Sequence, residues 1–267
     1  MIGRGIGFGF VTARDAVARV LLRLGVRPNT LSISGMIITA AAGVCYALGA
    51  ARGFAWRLDP ASGPNAYLML AGALMVLASA CDMLDGAVAR LGNCKTAFGA
   101  FLDSTLDRYS DFVVYAGIAA AYALQEPANV TFVLLAMLAF FNSFMVSYAR
   151  ARAEDLIDSC TVGFWQRGER NAAILIATFA CNIPALVVQQ ALLTALTVLK
   201  RILYARAVLA GKTPLTDPRK GGLGAKIRLW DWPRKTVPYD LVVGANIAWL
   251  IFAKFPPPDL IRHVLGL

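Results

Sequence analysis

Long apolar stretches alternate with short basic ones along most of this chain. Runs of near-spanning length fall at 31–51, 64–84, 97–124, 129–149 and 184–203, with a shorter one at 171–182. About 20 residues of helix cross the hydrocarbon core of a bilayer, so the pattern predicts six membrane helices. Ahead of them, residues 12–26 set Arg14, Arg19 and Arg23 against an apolar stripe, which predicts a helix lying in the membrane interface. Arg27-Pro28-Asn29-Thr30 breaks that helix and starts the first spanning one, with Pro and Asn suited to a helix start. Residues 210–236 are polar, basic and rich in Gly and Pro, and read as a linker against the membrane. A last apolar segment, Val237 to Phe255, is interrupted by Asp240, Asn246 and Lys254 and closed by Pro256-Pro257-Pro258. It reads either as a seventh span or as an interfacial segment.

Composition agrees with this picture. Of 267 residues, 58% are hydrophobic and only 16% are charged, which is outside the range of soluble domains and predicts a polytopic membrane protein. The net charge of +10 would fit nucleic acid, but its placement argues against that. With residues 1–29 cytoplasmic, segments 1–29, 90–95, 150–170 and 200–235 hold most of the 26 Lys and Arg. The alternate segments 52–63, 125–128 and 182–184 hold only Arg52 and Arg57. This asymmetry orients the six helices with both ends of the set in the cytoplasm, and it attracts anionic membrane lipids. The five cysteines are scattered and His263 is the only histidine, so neither a disulfide framework nor a Cys/His metal site is expected. The N-terminus lacks the apolar core of a cleaved signal peptide.

Four carboxylates interrupt the apolar pattern. Asp82-x-x-Asp85-Gly86-x-x-Ala89-Arg90 ends the second run, and Gly99-x-x-x-Asp103-x-x-x-Asp107 opens the third. At helical pitch Asp82, Asp85, Gly86 and Ala89 share one face, as do Thr96, Gly99, Asp103 and Asp107. Two such faces turned toward each other bring four acidic groups to one point. In a low-dielectric setting that cluster needs cations, and hard oxygen donors suit Mg²⁺ or Mn²⁺. The small residues between the carboxylates leave room for a ligand against the backbone. An acidic cluster inside a membrane also marks cation transporters. Against that alternative, these aspartates sit at one interface and no paired broken helices accompany them.

The pattern D-x-x-D-G-x-x-A-R-x8-G-x-x-x-D-x-x-x-D resembles the signature of the CDP-alcohol phosphotransferases, and all eight positions match. The resemblance implies a membrane enzyme that transfers a phosphatidyl-type group from a CDP-diacylglycerol-type lipid to an alcohol, with release of CMP. It implies two Mg²⁺ or Mn²⁺ ions held by Asp82, Asp85, Asp103 and Asp107, with Asp107 also acting as the base. It assigns Asn29, Ser32, Gly86, Ala89, Arg90, Thr96 and Gly99 to the CDP-lipid. For Asn29 a plain helix cap is an equal reading, and for Arg90 interfacial anchoring competes. Asp111 continues the Asp103–Asp107 face and reads as a supporting group or a partner for Arg108.

Past the signature, Ser143, Ser147, Arg150 and Glu154 form a polar stripe at the cytoplasmic end of the fourth helix. Arg152, Arg167, Arg170, Lys200 and Arg201 follow on the same side. Each basic residue alone is explained by membrane orientation. Together they supply guanidinium forks that match phosphate, which makes a phosphorylated acceptor plausible. Ser147-Tyr148-Ala149-Arg150-Ala151-Arg152-Ala153-Glu154 is also similar to the S-Y-x-K/R-A-R-A-E element of phosphatidylinositol phosphate synthases. That similarity implies inositol phosphate as acceptor, held by Ser147, Arg150, Arg152, Arg167, Arg170 and Arg201. Glycerol 3-phosphate is the runner-up acceptor. The family further implies a homodimer in the cell membrane with its active site at the cytoplasmic face. The expected organisation is an all-α integral membrane protein. Residues 1–29 form the interfacial amphipathic helix, 30–206 a six-helix transmembrane domain, and 207–267 a C-terminal extension of unassigned role.

Overall fold

The computed structural model describes residues 2–50, 65–211, 236–253 and 259–266, together with residues 224, 232 and 234. Every regular element among them is a helix. In chain order these are α1 (Ile2–Arg23), α2 (Pro28–Gly49), α3 (Ala66–Leu91), α4 (Ala97–Leu124) and α5 (Val130–Glu154). They continue with α6 (Arg167–Phe179), α7 (Ile183–Leu209), α8 (Val237–Phe252) and α9 (Leu260–Leu265). Each of the six predicted apolar runs forms one helix, α2 to α7. The helix expected over residues 12–26 runs instead from Ile2 to Arg23. Most of the predicted linker, Lys254 and the triple proline lie outside the described residues.

Helices α2, α3, α5 and α7 are each long and apolar enough to cross a membrane. Helix α4 has 28 residues, but Asp103, Asp107, Arg108 and Asp111 load its first half with charge. Helix α6 has 13 residues, about 20 Å at 1.5 Å per residue and less than the ~30 Å hydrocarbon core. The surface is apolar where lipid tails would touch it, with Ile37, Val44, Leu77, Phe141 and Leu196 all exposed. Polar groups turn inward instead. Tyr46 Oη lies 2.6 Å from Thr178 Oγ1, and Asn142 Nδ2 donates to the Ala191 carbonyl at 2.8 Å. The chain is a multi-pass membrane protein.

Asparagines begin three of the helices. Asn65 accepts from the amides of Tyr67 and Leu68, Asn129 from Phe132, and Asn182 from Ala185. A helix start leaves its first N–H groups without partners, and hydrocarbon offers no water to replace them. Helix α2 packs along both α3 and α4, and α5 packs along α7 and α4. The α2–α4 contact is nearly backbone on backbone. A Cβ on Gly43 would lie 2.7 Å from the Val113 carbonyl oxygen, and one on Gly117 would run into the Gly43 carbonyl. This close approach locks the second halves of α2 and α4 together, so the two helices run side by side from their first turns, where α2 carries Asn29 and Ser32.

The turns sort the helix ends into two layers. The end of α3, the starts of α2, α4 and α6, and the end of α5 meet at what we call the aspartate end. The C-terminal extension belongs to both layers. Tyr239, in the first turn of α8, bonds Glu169 in the first turn of α6. Near the other end of α8, Trp249 Nε1 donates to the Ala185 carbonyl and Asn182 donates to the Leu250 carbonyl. Helix α8 therefore runs beside α6 and α7 from the aspartate end to the far end, as a seventh long-axis element. Beyond it, Asp259 accepts from the Val130 and Thr131 amides at the start of α5.

Candidate active site

The signature carboxylates converge as their helical spacing requires. One oxygen from each of Asp82, Asp85 and Asp103 lies within 4.8 Å of the others. Asp85 is buried and accepts a 2.6 Å hydrogen bond from Ser32 Oγ, whose hydroxyl also lies 3.3 Å from the Pro28 carbonyl. Asp107, one turn along from Asp103, is buried and turned toward cations. Arg167 Nη2 approaches its Oδ1 at 2.5 Å, and Arg108 Nη1 lies 3.5 Å from its Oδ2. Arg167 also donates to Asp82 Oδ1 at 3.2 Å, so one guanidinium bridges α3 and α4. A cavity of about 50 Å³ reaches inward from these groups, lined by Ser32, Asp82, Asp103, Asp107, Asp111 and Asn171 among others. Three adjacent carboxylates in a partly open, hard-oxygen environment form a donor set that fits Mg²⁺ or Mn²⁺. The repulsion among them makes an empty cluster costly, and a divalent cation relieves it.

The small residues and caps sit around this cluster. A Cβ on Gly99 would come within 3.4 Å of Asn29 Oδ1, so Asn29 reaches the start of α4. It is not the helix cap of α2, a position taken by Arg27 without a side-chain bond. A Cβ on Gly86 would meet only the Arg90 guanidinium, at 3.3 Å from Nη1. Arg90 thus folds back over the glycine face that the sequence reserves for a ligand, and Ala89 lies beside it on the same helix. Thr96 caps α4, its Oγ1 accepting from the Gly99 amide at 2.9 Å.

The arginines divide into three groups. Arg167 belongs to the aspartates. Arg170 and Arg201 are buried, each at 2% exposure. Arg170 donates to the Trp165 carbonyl at 3.3 Å and pairs with Asp111 at 3.4 Å. Arg201 donates to the carbonyls of Val162 and Val146 and to Gln166 Oε1, tying the 155–166 loop to α5 and α7. Arg150 and Arg152 are more open, paired with Glu154 at 2.9 Å and Asp155 at 3.2 Å. Arg150, Arg170 and Arg201 all meet the same loop: Arg170 and Arg201 bond residues 162–166, and Glu154, the partner of Arg150, accepts from the Cys160 amide. Ser147 is half-buried on the same helix as Arg150. Like charges gathered under a loop at low dielectric favour an anion between them.

Of the two readings of Asp111, the structure favours the supporting group over the partner of Arg108. Asp111 pairs with Arg170 across to α6, whereas Arg108 turns to Asp107 and to the Ser104 carbonyl. The reason is that α6 packs against α3 and delivers Arg170 to this face. Helix α5 also runs to Glu154 without a break, so Arg150 and Arg152 remain about 200° apart around it. Reasoning from sequence missed Glu169, which is gripped from α8. Its only signal was an acidic residue in the first turn of α6.

A hard-cation pocket at one end of a helical membrane bundle, faced by buried arginines, is the site of a membrane enzyme acting on phosphate esters. Residues 26–215 match the CDP-alcohol phosphatidyltransferase family, and the chain belongs to that family. The archaetidylinositol phosphate synthase of Methanothermobacter thermautotrophicus is 34% identical over 188 residues, covering 68% of this chain and 84% of that protein. The phosphatidylinositol phosphate synthase of Mycobacterium tuberculosis, solved with CDP-DAG bound, superposes with a TM-score of 0.61 at 26% identity. That match covers 72% of this chain and 92% of the other. The same enzyme in complex with manganese and citrate gives a TM-score of 0.60 at 25% identity, covering 72% and 88%. Membership in an enzyme family removes the cation-transporter alternative.

Proposed function

We propose that this protein transfers the phosphatidyl-type group of a CDP-diacylglycerol-type lipid to a hydroxyl of inositol phosphate and releases CMP. The observation that carries the reading is the meeting of two poles at one end of the bundle. Asp82, Asp85 and Asp103 form the acidic one, Arg150, Arg170 and Arg201 the basic one, and Arg167 with Asp107 stands between them. The synthases similar to this chain are named for inositol phosphate lipids, and a basic pocket is what a phosphorylated polyol requires.

Asp82, Asp85, Asp103 and Asp107 would hold Mg²⁺ or Mn²⁺, two ions by resemblance to the family. Bound there, the cations neutralise the donor diphosphate and the charge of the departing CMP. The residues supply the rest. Asn29, Gly86, Ala89, Arg90 and Gly99 border the space for the donor headgroup, and Arg90 lies within reach of a diphosphate placed over Gly86. Ser32 fixes the orientation of Asp85, and Thr96 fixes the first turn of α4 on which Gly99 and Asp103 ride. Asp107 accepts the proton of the acceptor hydroxyl. The freed oxygen attacks the lipid-bearing phosphorus, and the bond from that phosphorus to the CMP oxygen breaks. Ser147, Arg150, Arg167, Arg170 and Arg201 orient the acceptor by its phosphate, so positioning and electrostatics contribute most of the rate. Arg152, exposed and paired with Asp155, lies on another side of α5 and acts on the approach of the anion.

The charge asymmetry across the spans supports placing this end at the cytoplasmic face of the cell membrane, where CMP leaves into water. Family resemblance supports a homodimer. The test is CMP release from one CDP-lipid by purified protein, with and without EDTA, across inositol phosphate, glycerol 3-phosphate, inositol and serine. Metal-dependent release with inositol phosphate as the preferred acceptor is expected. Equal or better release with unphosphorylated inositol would remove the basic pole from the reaction.

A further inference from the structure

The first turn of α6 is gripped from two sides. On one side Arg167 bonds Asp82 and Asp107, and Arg170 pairs with Asp111. On the other side Gly168 and Glu169 meet the C-terminal extension. Glu169 Oε1 accepts from Arg234 Nε at 3.1 Å, from Arg234 Nη2 at 2.7 Å and from the Tyr239 hydroxyl at 2.7 Å. Glu169 is 9% exposed and Arg234 is 67% exposed, so the carboxylate is fixed while the guanidinium closes over it from outside. A Cβ on Gly168 would lie 3.3 Å from Arg234 Nη2, so the absence of a side chain lets the clasp sit directly on the turn. The Tyr239 ring also packs 5.5 Å from that of Phe164, in the loop that Arg201 ties down.

The local chemistry of this turn explains why it needs a clasp. Its cap residue, Gln166, makes no side-chain capping bond, because its amide group donates to the Thr161 and Gly163 carbonyls and its oxygen accepts from Arg201. Glu169 occupies the third helical position, from which a glutamate often folds back onto the cap residue. Here that carboxylate is spent on α8. The turn is therefore held by tertiary contacts, and an end without a cap frays in their absence. Further along, Gln189 donates to Asn246 Oδ1 at 2.8 Å, and Asn182 and Ala185 bond the end of α8. These contacts anchor the clasp along its length. The family match ends at residue 215, before α8 begins.

We infer that the extension is a positioning element of the acceptor site: Arg234 and Tyr239, through Glu169, hold the first turn of α6 so that Arg167 and Arg170 face the incoming acceptor phosphate. The inference rests on the proposed acceptor reading. Arg234, Tyr239 and Glu169 touch no substrate and act through the two arginines.

The experiment compares full-length Arg234→Ala, Arg234→Lys and Tyr239→Phe with the wild type, measuring KM for inositol phosphate, KM for the CDP-lipid, kcat and Tm. Arg234→Ala should raise the KM for inositol phosphate roughly 3- to 10-fold, with the CDP-lipid KM unchanged. Tyr239→Phe should shift it in the same direction by less. Arg234→Lys keeps one charged donor to the single oxygen used and should stay near wild type. An unchanged acceptor KM in Arg234→Ala would overturn the clasp, as would equal losses for both substrates that track a lowered Tm. A wild type that does not prefer inositol phosphate to inositol would instead defeat the acceptor reading itself, so the two failures are separable.

Discussion

Asp82 and Asp85 lie one turn apart on α3, and Asp103 and Asp107 one turn apart on α4, so the acidic pole comes from two consecutive helices. Arg150, Arg170 and Arg201 come from α5, α6 and α7 and meet only because a loop is folded beneath them. Among the described residues the acidic groups have few side-chain donors: Ser32 on Asp85, Arg167 on Asp82 and Asp107, and Arg108 beside Asp107. The buried guanidiniums of the basic pole are largely satisfied by carbonyls of Trp165, Val162 and Val146. The contrast has a physical meaning. A cluster short of donors is poised to take up cations, whereas a cluster stitched into backbone is rigid and presents a fixed positive field. One pole recruits its charge from solution and the other builds it into the fold.

The largest effect that sharpens this contrast is at Asp82. Asp82→Ala removes a ligand that no neighbour replaces, so metal-dependent binding of the CDP-lipid should be lost, as measured by calorimetry with and without Mg²⁺. Retained metal-dependent binding would take Asp82 out of the acidic pole. Next, Asp107→Asn keeps shape but removes the proton acceptor, and turnover should fall at least ~10²-fold. Near-normal turnover in the purified variant would remove Asp107 from the chemistry.

On the basic side, Arg201→Ala deletes three donors buried between α5, α7 and the loop. It should cost about 2–3 kcal/mol of stability by leaving carbonyls unsatisfied, read as a lowered Tm in detergent. An unchanged Tm would show that the loop is held by something else. The smallest effect belongs to Arg152, which is 62% exposed and, among the described residues, paired with Asp155. Exposed pairs contribute little, so Arg152→Ala should leave both KM values and Tm within error. A raised acceptor KM in that variant would extend the basic pole around the helix.

The acidic pole could be read from the sequence because helical pitch alone decides it: residues three and four apart share a face, and two adjacent apolar runs bring the faces together. Ser32 and Asn29 were legible only through the family resemblance, because no local spacing tells that the start of α2 leans on both faces. The basic pole was legible only as a list of residues. Which arginine is buried, which bridges carboxylates and which faces outward depends on how α6 and the 155–166 loop pack, and no local spacing encodes that. Asp111 shows the limit clearly, since its nearest partner in sequence, Arg108, lost to Arg170 from another helix. Glu169, Arg234 and Tyr239 were invisible for a further reason. A long basic linker separates them, and their pairing exists only once α8 lies along α6 and α7.

The division of labour between the poles is tested most directly at Arg150, the open member of the basic group. Steady-state kinetics of purified Arg150→Ala should be run with each substrate varied in turn at saturating Mg²⁺. Losing one charge-assisted bond to phosphate costs ~1.5–3 kcal/mol, so the KM for inositol phosphate should rise about 10- to 100-fold while the KM for the CDP-lipid stays at its wild-type value. Equal changes in both constants, or no change in the acceptor KM, would contradict the separation of donor and acceptor between the two poles.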